Sequence, residues 1–176
     1  VRDERSGMHM ADGYARASGK PGIMIAGQNG PGATNLITGV AQASAAFSPV
    51  ISIAGDISTK HAGKDSFQEI DQQKLFEPIT KKTWTINKIN EIPKILSDAF
   101  KLVSTRRNGP VHINFPRNIL SKTYKFKKFK KHKQSKIIRA SREEISKTID
   151  LLINSSKSVI IAGAGIKNTK GDKEVI

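Results

Sequence analysis

The chain has 176 residues, 37% of them hydrophobic, no cysteine, and a formal net charge of +15. That length suits one ordinary domain with part of a second, and the missing cysteines exclude disulfides, thiolate metal sites and cysteine nucleophiles. No apolar run long enough to span a bilayer and no secretory signal pattern is present, so a cytoplasmic address is the default expectation and no membrane partner is expected.

In chain order, Met8, Ala11, Tyr14, Ala15 and Ser18 recur at helical spacing, and Gly19-Lys20-Pro21-Gly22 supplies a stop. "IMIAG" (23–27) is a continuous apolar run and predicts a strand buried on both faces. It empties into the glycine-rich "GQNGPG" (27–32), after which Ala33, Leu36, Ile37, Val40, Ala41 and Ser44 return to helical spacing. "VISIAGD" (50–56) is the next buried strand, followed by a polar loop over 57–66. "QQKLFEPI" predicts a short helix and "TWTI" (83–86) a strand. "NEIPKILSDAFKLVST" (90–105) predicts a helix with Asn90 as N-cap and Pro93 in its first turn. "PVHINFP" (110–116) closes the set as another buried strand. Apolar strands alternating with amphipathic helices predict an α/β fold, a doubly wound parallel sheet over residues 1–120.

The positive charge is local. Residues 1–120 carry 15 basic against ten acidic side chains, and residues 121–176 carry 15 against five. "SKTYKFKKFKKHKQSK" (121–136) holds eight lysines and no acid, with Tyr124, Phe126 and Phe129 interleaved. Like charges at that density favour an extended, solvated segment, so a basic linker is expected there. The alternative is a strip that tracks a nucleic-acid backbone, and the absence of arginine weighs against it. Beyond it, "SREEISKTIDLLINSS" has a capping box in Ser141 and Glu144 and places Ile145, Ile149 and Leu152 on one face. "SVIIAGAGI" (158–166) predicts a further strand, so residues 137–176 read as the start of a second α/β domain. The expectation is a chain truncated at both ends, lacking the first domain's opening strand and helix.

Parallel α/β sheets bind ligands beyond the carboxyl ends of their strands, which gives weight to four places. Glu4 stands at the expected junction of a strand end and a helix starting near Ser6, where a carboxylate can be either a chemical group or a charge that suits a helix N-terminus. "GQNGPGATN" combines close backbone approach with free N–H groups, yet it is neither a Walker loop nor a dinucleotide fingerprint. The loop "GDISTKHAGKDSFQEIDQQ" (55–73) is long enough to be functional, and Gln68 within it can hydrogen-bond a small polar substrate. His61, Asp65, Glu69 and Asp71 lack metal-ligand spacing, so no metal site is expected on this chain. "GAGIKNTKG" (163–171) is uninformative alone.

Taken in order, "RDERSGMHMADGYARASGKPG", "GQNGPGATNLITGVAQA", "SPVISIAGD", "DSFQEIDQ", "ITK" and "NGPVHINFPRNI" resemble the pyrimidine-binding domain of thiamine-diphosphate-dependent enzymes. Within that family the chain is most similar to acetolactate (acetohydroxyacid) synthase large subunits. The resemblance covers residues 1 to about 120, with 121–136 at the variable linker and 137–176 at the start of the central domain. It implies that Glu4 is the catalytic glutamate that hydrogen-bonds the cofactor's pyrimidine ring nitrogen. It also implies that Pro31, Gly32 and Asn35 pack the pyrimidine, that Phe67 and Gln68 line the substrate end of the pocket, and that Lys81 stands near the substrate channel. The implied reaction decarboxylates pyruvate and transfers the resulting hydroxyethyl carbanion to a second 2-oxoacid.

Magnesium is implied through a C-terminal domain absent from this chain, and FAD where acetolactate synthases carry it. The implied assembly is a homodimer or homotetramer with a regulatory subunit, and the fragment alone is expected to be inactive. Asp3, Arg5 and Ser6 depart from the family's usual "RHEQGA", and Gln28-Asn29 are more similar to sulfoacetaldehyde acetyltransferases, which keeps that activity as the alternative. A non-catalytic relative and a nucleic-acid binder are the rivals from other classes.

Overall fold

The computed structural model describes residues 1–27, 29–105, 107–126, 139–163 and 165–166. It divides into two compact units, residues 1–135 and 136–176.

The first unit is a four-stranded, all-parallel sheet with helices on both faces. Helix α1 (Glu4–Ser18) leads to β1 (Gly22–Ala26), α2 (Pro31–Ala45) and β2 (Val50–Asp56). Helix α3 (Gln72–Phe76) and a single 3₁₀ turn (Glu77–Ile79) precede β3 (Thr83–Thr85). Then come α4 (Ile92–Val103), β4 (Val111–Pro116) and the single turn α5 (Arg117–Leu120). The strand order is β1-β2-β4-β3, with Ala26 beside Ala54 and Asp56 beside Pro116. All strands therefore present their carboxyl ends to the same edge, the expected place for a ligand.

Period-two alternation divides β2 between two cores. Val50 and Ala54 pack with α1 and α2 through Met8, Ala15, Leu36 and Val40, and Phe76 completes that cluster. Ile51 joins Val111, Ile113 and the Ile95, Ala99 and Val103 stripe of α4 on the opposite face. The expectation that β1 is buried on both faces fails. Ile23 and Ile25 are 47% and 65% exposed, because β1 is an edge strand and α4 covers β2 and β4 instead.

Helices α1 and α2 pack on each other through small residues. A Cβ on Gly39 would meet Met8 at 2.6 Å, and where α1 passes the start of β1 one on Gly22 would stand 2.0 Å from the Ala11 carbonyl oxygen. Gly19 ends α1 with φ 68°, a left-handed cap that glycine adopts without a steric penalty. One further departure concerns a helix boundary. A 3₁₀ turn (Ile89–Glu91) takes up the residues ahead of α4, so Asn90 is not its cap. Pro93 does stand in the first turn.

The α2-side face of β4 is polar. His112 is fully buried, stacks on Phe76 with ring centroids 3.5 Å apart, and lies 2.8 Å through Nδ1 from Ser52 Oγ. Burial pushes its imidazole down to about 3, against a smaller upward pull from the Asn114 side chain.

In the second unit α6 (Arg142–Ile153) has the expected capping box, with Glu144 N donating to Ser141 Oγ and Ser141 N to Glu144 Oε2. Residues 158–163 form no strand, and Val159, Ile160 and Ile161 are 86%, 70% and 92% exposed. A lone extended segment has nothing to satisfy its amides, so apolar sequence alone does not make it a strand. Residues 127–138, most of the lysine-rich linker, and most of "GAGIKNTKG" lie outside the described residues. Among the described residues no helix is long and apolar enough to cross a membrane.

Two predictions follow from this packing. Gly22→Ala destabilises the chain by about 3 kcal/mol through overpacking against rigid backbone, whereas Gly13→Ala, with nothing within 4 Å of its Cβ, gains roughly 0.5–1 kcal/mol. Urea unfolding of both variants checks the pair. His112 binds a proton in the unfolded chain near 6.5 and in the folded chain only near 3. Its contribution to stability is present above pH 6.5 and is lost progressively as pH falls toward 3, at up to about tenfold in the folding constant per pH unit. Proton NMR of the His112 ring should show its neutral form persisting at about pH 5, well below the ordinary histidine range.

Candidate active site

The head of α1 resolves which acid does what. Asp3 is the N-cap, accepting from Arg5 N at 2.8 Å, and the Arg5 guanidinium bonds the same carboxylate at 2.8 Å. That pairing holds the Asp3 carboxyl below the ordinary carboxylate range. Capping is thereby done by Asp3. Glu4, the first helical residue, turns to α2 instead and accepts from Asn35 Nδ2 at 3.0 Å through Oε2. Both side chains are half-buried.

Glu4 meets Asn35 and Met8 meets Gly39, the same offset of 31 residues, so α1 and α2 run parallel. Both amino termini therefore lie at one end, beside the carboxyl end of β1. The turn into α2 is built there. Gly30 has φ 59°, and a Cβ on it would stand 2.8 Å from both the Cβ and the carbonyl oxygen of Gln68. Asn29 Nδ2 also donates to the Gln68 carbonyl at 3.2 Å. Pro31 opens α2 on the exposed side, and Gly32 is buried behind it.

Gln68 thus meets Gly30 of the glycine turn across a sequence separation of 38, held with φ 62°. A non-glycine residue in the left-handed region persists only where its surroundings determine it. Phe67 beside it is 87% exposed. The loop carrying both is internally braced, since the Glu69 carboxylate accepts from Gly63 N and Ser66 N, and Asn118 on α5 bonds Thr59. Those backbone donors hold the Glu69 carboxyl below its ordinary range.

Lys81 is not brought to this end. It precedes β3, at the amino end of the sheet, and its Nζ donates to the carbonyls of Leu102, Thr105 and Arg107 at 2.7, 2.9 and 2.8 Å. Burial lowers its pKa. It closes the C-terminus of α4 beside a small cavity of about 210 Å³ that Phe47, Arg107 and Pro110 also line. Lys81 thus stands apart from the Glu4 and Gln68 end, and its ammonium saturates orphan carbonyls, a demand of helix ends that a three-letter resemblance does not reveal.

Two residues on the site's edge were not singled out from the sequence. Asp56 ends β2, and burial pushes its carboxyl up while bonds from Ile57 N and the Gln72 side chain pull it down. Arg117 follows Pro116, which pairs with Asp56 across the sheet. Their signal is position, as the last residue of one strand and the first after another.

Comparison with known proteins fits this geometry. Residues 1–75 match the family described as "Thiamine pyrophosphate enzyme, N-terminal TPP binding domain". The whole chain aligns with a probable acetolactate synthase large subunit of Methanococcus aeolicus at 40% identity, covering 30% of that protein. It aligns over 100% of its length with the corresponding Methanocaldococcus jannaschii protein at 39% identity, and over 99% with the acetolactate synthase large subunit of Buchnera aphidicola subsp. Schizaphis graminum at 37%, covering 31% of each. Residues 1–75 are thus similar to the N-terminal domain of thiamine pyrophosphate enzymes, and the whole chain is similar to acetolactate synthase large subunits. It spans about 30% of the length of the curated relatives it matches.

The residues present fit the pyrimidine end of that family's cofactor. Glu4 has one carboxylate oxygen fixed by Asn35, and Oε1 is without a hydrogen-bond partner among the described residues. The glycine turn beside it holds its backbone too close to Gln68 to admit a side chain at Gly30. A diphosphate needs a cation or a basic cradle, and among the described residues no three His, Asp or Glu side chains gather to hold a metal. Lys81→Met should lower stability by about 1 kcal/mol by uncapping α4, as urea denaturation would check.

Proposed function

We propose that the full-length protein is a thiamine-diphosphate-dependent acetolactate synthase, and that this chain supplies the pyrimidine side of its active site. The observation that carries the proposal is the Glu4 carboxylate, released from helix capping by Asp3 and oriented by Asn35. Similarity to acetolactate synthase large subunits along the whole chain supports the choice of reaction.

Thiamine diphosphate, when bound, supplies the electron sink that lets a 2-oxoacid lose carbon dioxide and join a second 2-oxoacid. This chain's residues do the rest of the work at that end. Glu4 Oε1 holds a proton against the pyrimidine ring nitrogen while Asn35 fixes Oε2, so the carboxylate presents one oxygen in one direction. Pro31 and Gly32 would help hold the ring, and Phe67 and Gln68 would serve the substrate side from a loop anchored to the same turn.

Magnesium and the diphosphate belong to a further domain of the full-length protein in this reading, and FAD to the domain that begins near residue 137. The active form is a homodimer or homotetramer, and the relatives' designation as large subunits supports a smaller regulatory partner. The chain by itself is inactive. A cytoplasmic location accords with the absence of cysteine.

Full-length protein with thiamine diphosphate, magnesium and pyruvate should form acetolactate. Acetyl phosphate formed from sulfoacetaldehyde and phosphate in its place would overturn the substrate assignment while leaving the cofactor. Glu4→Gln should lower turnover at least about 100-fold in the full-length enzyme, and near-normal turnover would refute the role of Glu4.

A further inference from the structure

Three buried polar side chains form a line across the sheet that the proposed chemistry does not use. Ser52 on β2, His112 on β4 and Gln72, the first residue of α3, are 0%, 0% and 2% exposed. Ser52 Oγ lies 2.8 Å from His112 Nδ1, His112 Nε2 lies 3.4 Å from Gln72 Oε1, and Gln72 Nε2 donates to the Gly55 carbonyl at 2.8 Å.

The direction of this chain can be assigned. Gln72 must turn its NH₂ toward the Gly55 carbonyl, since a flipped amide would set two acceptors against each other. Its oxygen therefore faces His112, and an amide oxygen only accepts, so Nε2 carries the ring proton. Nδ1 is then an acceptor, and the Ser52 hydroxyl donates to it at 2.8 Å in preference to the Val111 carbonyl at 3.2 Å. Phe76, stacked parallel to the ring within 7°, fixes its plane. Every link runs one way, from Ser52 through His112 and Gln72 to Gly55.

The placement of the last link gives the chain a task. Gly55 lies at the end of β2 and Gln72 at the start of α3, so their bond closes the base of the loop 57–71 that carries Phe67 and Gln68. The loop is braced within itself by Glu69 and to α5 by Asn118. A loop stiff within itself takes its pose from its base. We propose that Gln72 and His112 are positioning residues, a clamp that sets the pose of this loop at the carboxyl edge of the sheet. The clamp stands on its own geometry; only its consequence for substrate rests on the reading of Gln68 given above.

Two measurements on the full-length protein test it. ¹⁵N-NMR of the wild-type His112 ring should show Nε2 protonated and Nδ1 bare; the opposite tautomer would overturn the chain. Hydrogen exchange followed by mass spectrometry should show peptides of residues 57–71 exchanging about tenfold faster in Gln72→Met, with β2 and β4 peptides unchanged. Unchanged loop exchange in a folded Gln72→Met protein, or an equal acceleration of loop and strands, would overturn the positioning role. If Gln72→Met does not fold, the wild-type tautomer decides alone. Acetolactate formation is scored separately, so a protein with a clamped loop and no such activity would refute the function and leave the clamp standing.

Discussion

The structure turns on a division of labour between two adjacent carboxylates. A helix N-terminus attracts any acid near it, and left alone Glu4 would serve that field like many others. Asp3 takes the capping bond and is itself neutralised by Arg5, which leaves Glu4 to reach across to Asn35. For that reach to exist, α1 and α2 must lie parallel and close, and the small buried residues Ala11, Ala33 and Gly39 permit it. The small residues are thus as much part of the site as the acid, because any bulk between the helices would separate Glu4 from Asn35.

The same logic extends to the second half of the site. The glycine turn that opens α2 also holds the Gln68 backbone, and Gln72 ties the loop's far end back to β2. Residues far apart in the chain therefore hold one edge in common. Its energetic cost is a row of polar groups under the sheet, and His112 meets that cost by staying neutral rather than by finding a counter-charge. A charged imidazole there would have no acid to face, as its partners are a hydroxyl, two amides and an aromatic ring.

Much of this was legible in the sequence, where local rules govern. The α2 and β2 spans, the Gly19 stop and the Ser141–Glu144 capping box follow from spacing and cap chemistry, and the parallel α/β fold follows from their alternation. What was not legible depends on neighbours. The apolar run of β1 does not say that it stands at a sheet edge, so Ile23 and Ile25 were misread as buried. "SVIIAGAGI" has strand composition without a described strand beside it. Glu4 and Gln68 stand out by position and Asn35 by the resemblance, yet their contacts do not, since those lie across 31 or more residues. For Lys81 a family-like tripeptide does not tell that the ammonium bonds the end of a helix on the other side of the sheet.

The account rests on Glu4 being an oriented carboxylate that meets a cofactor rather than a helix-terminal charge. The structure of the full-length protein with thiamine diphosphate and magnesium would test this most directly. It should place Glu4 Oε1 within hydrogen-bond distance of the pyrimidine ring nitrogen, with Oε2 still on Asn35 Nδ2. A pyrimidine bound elsewhere, or a Glu4 that has turned back to the free amides of α1, would contradict it.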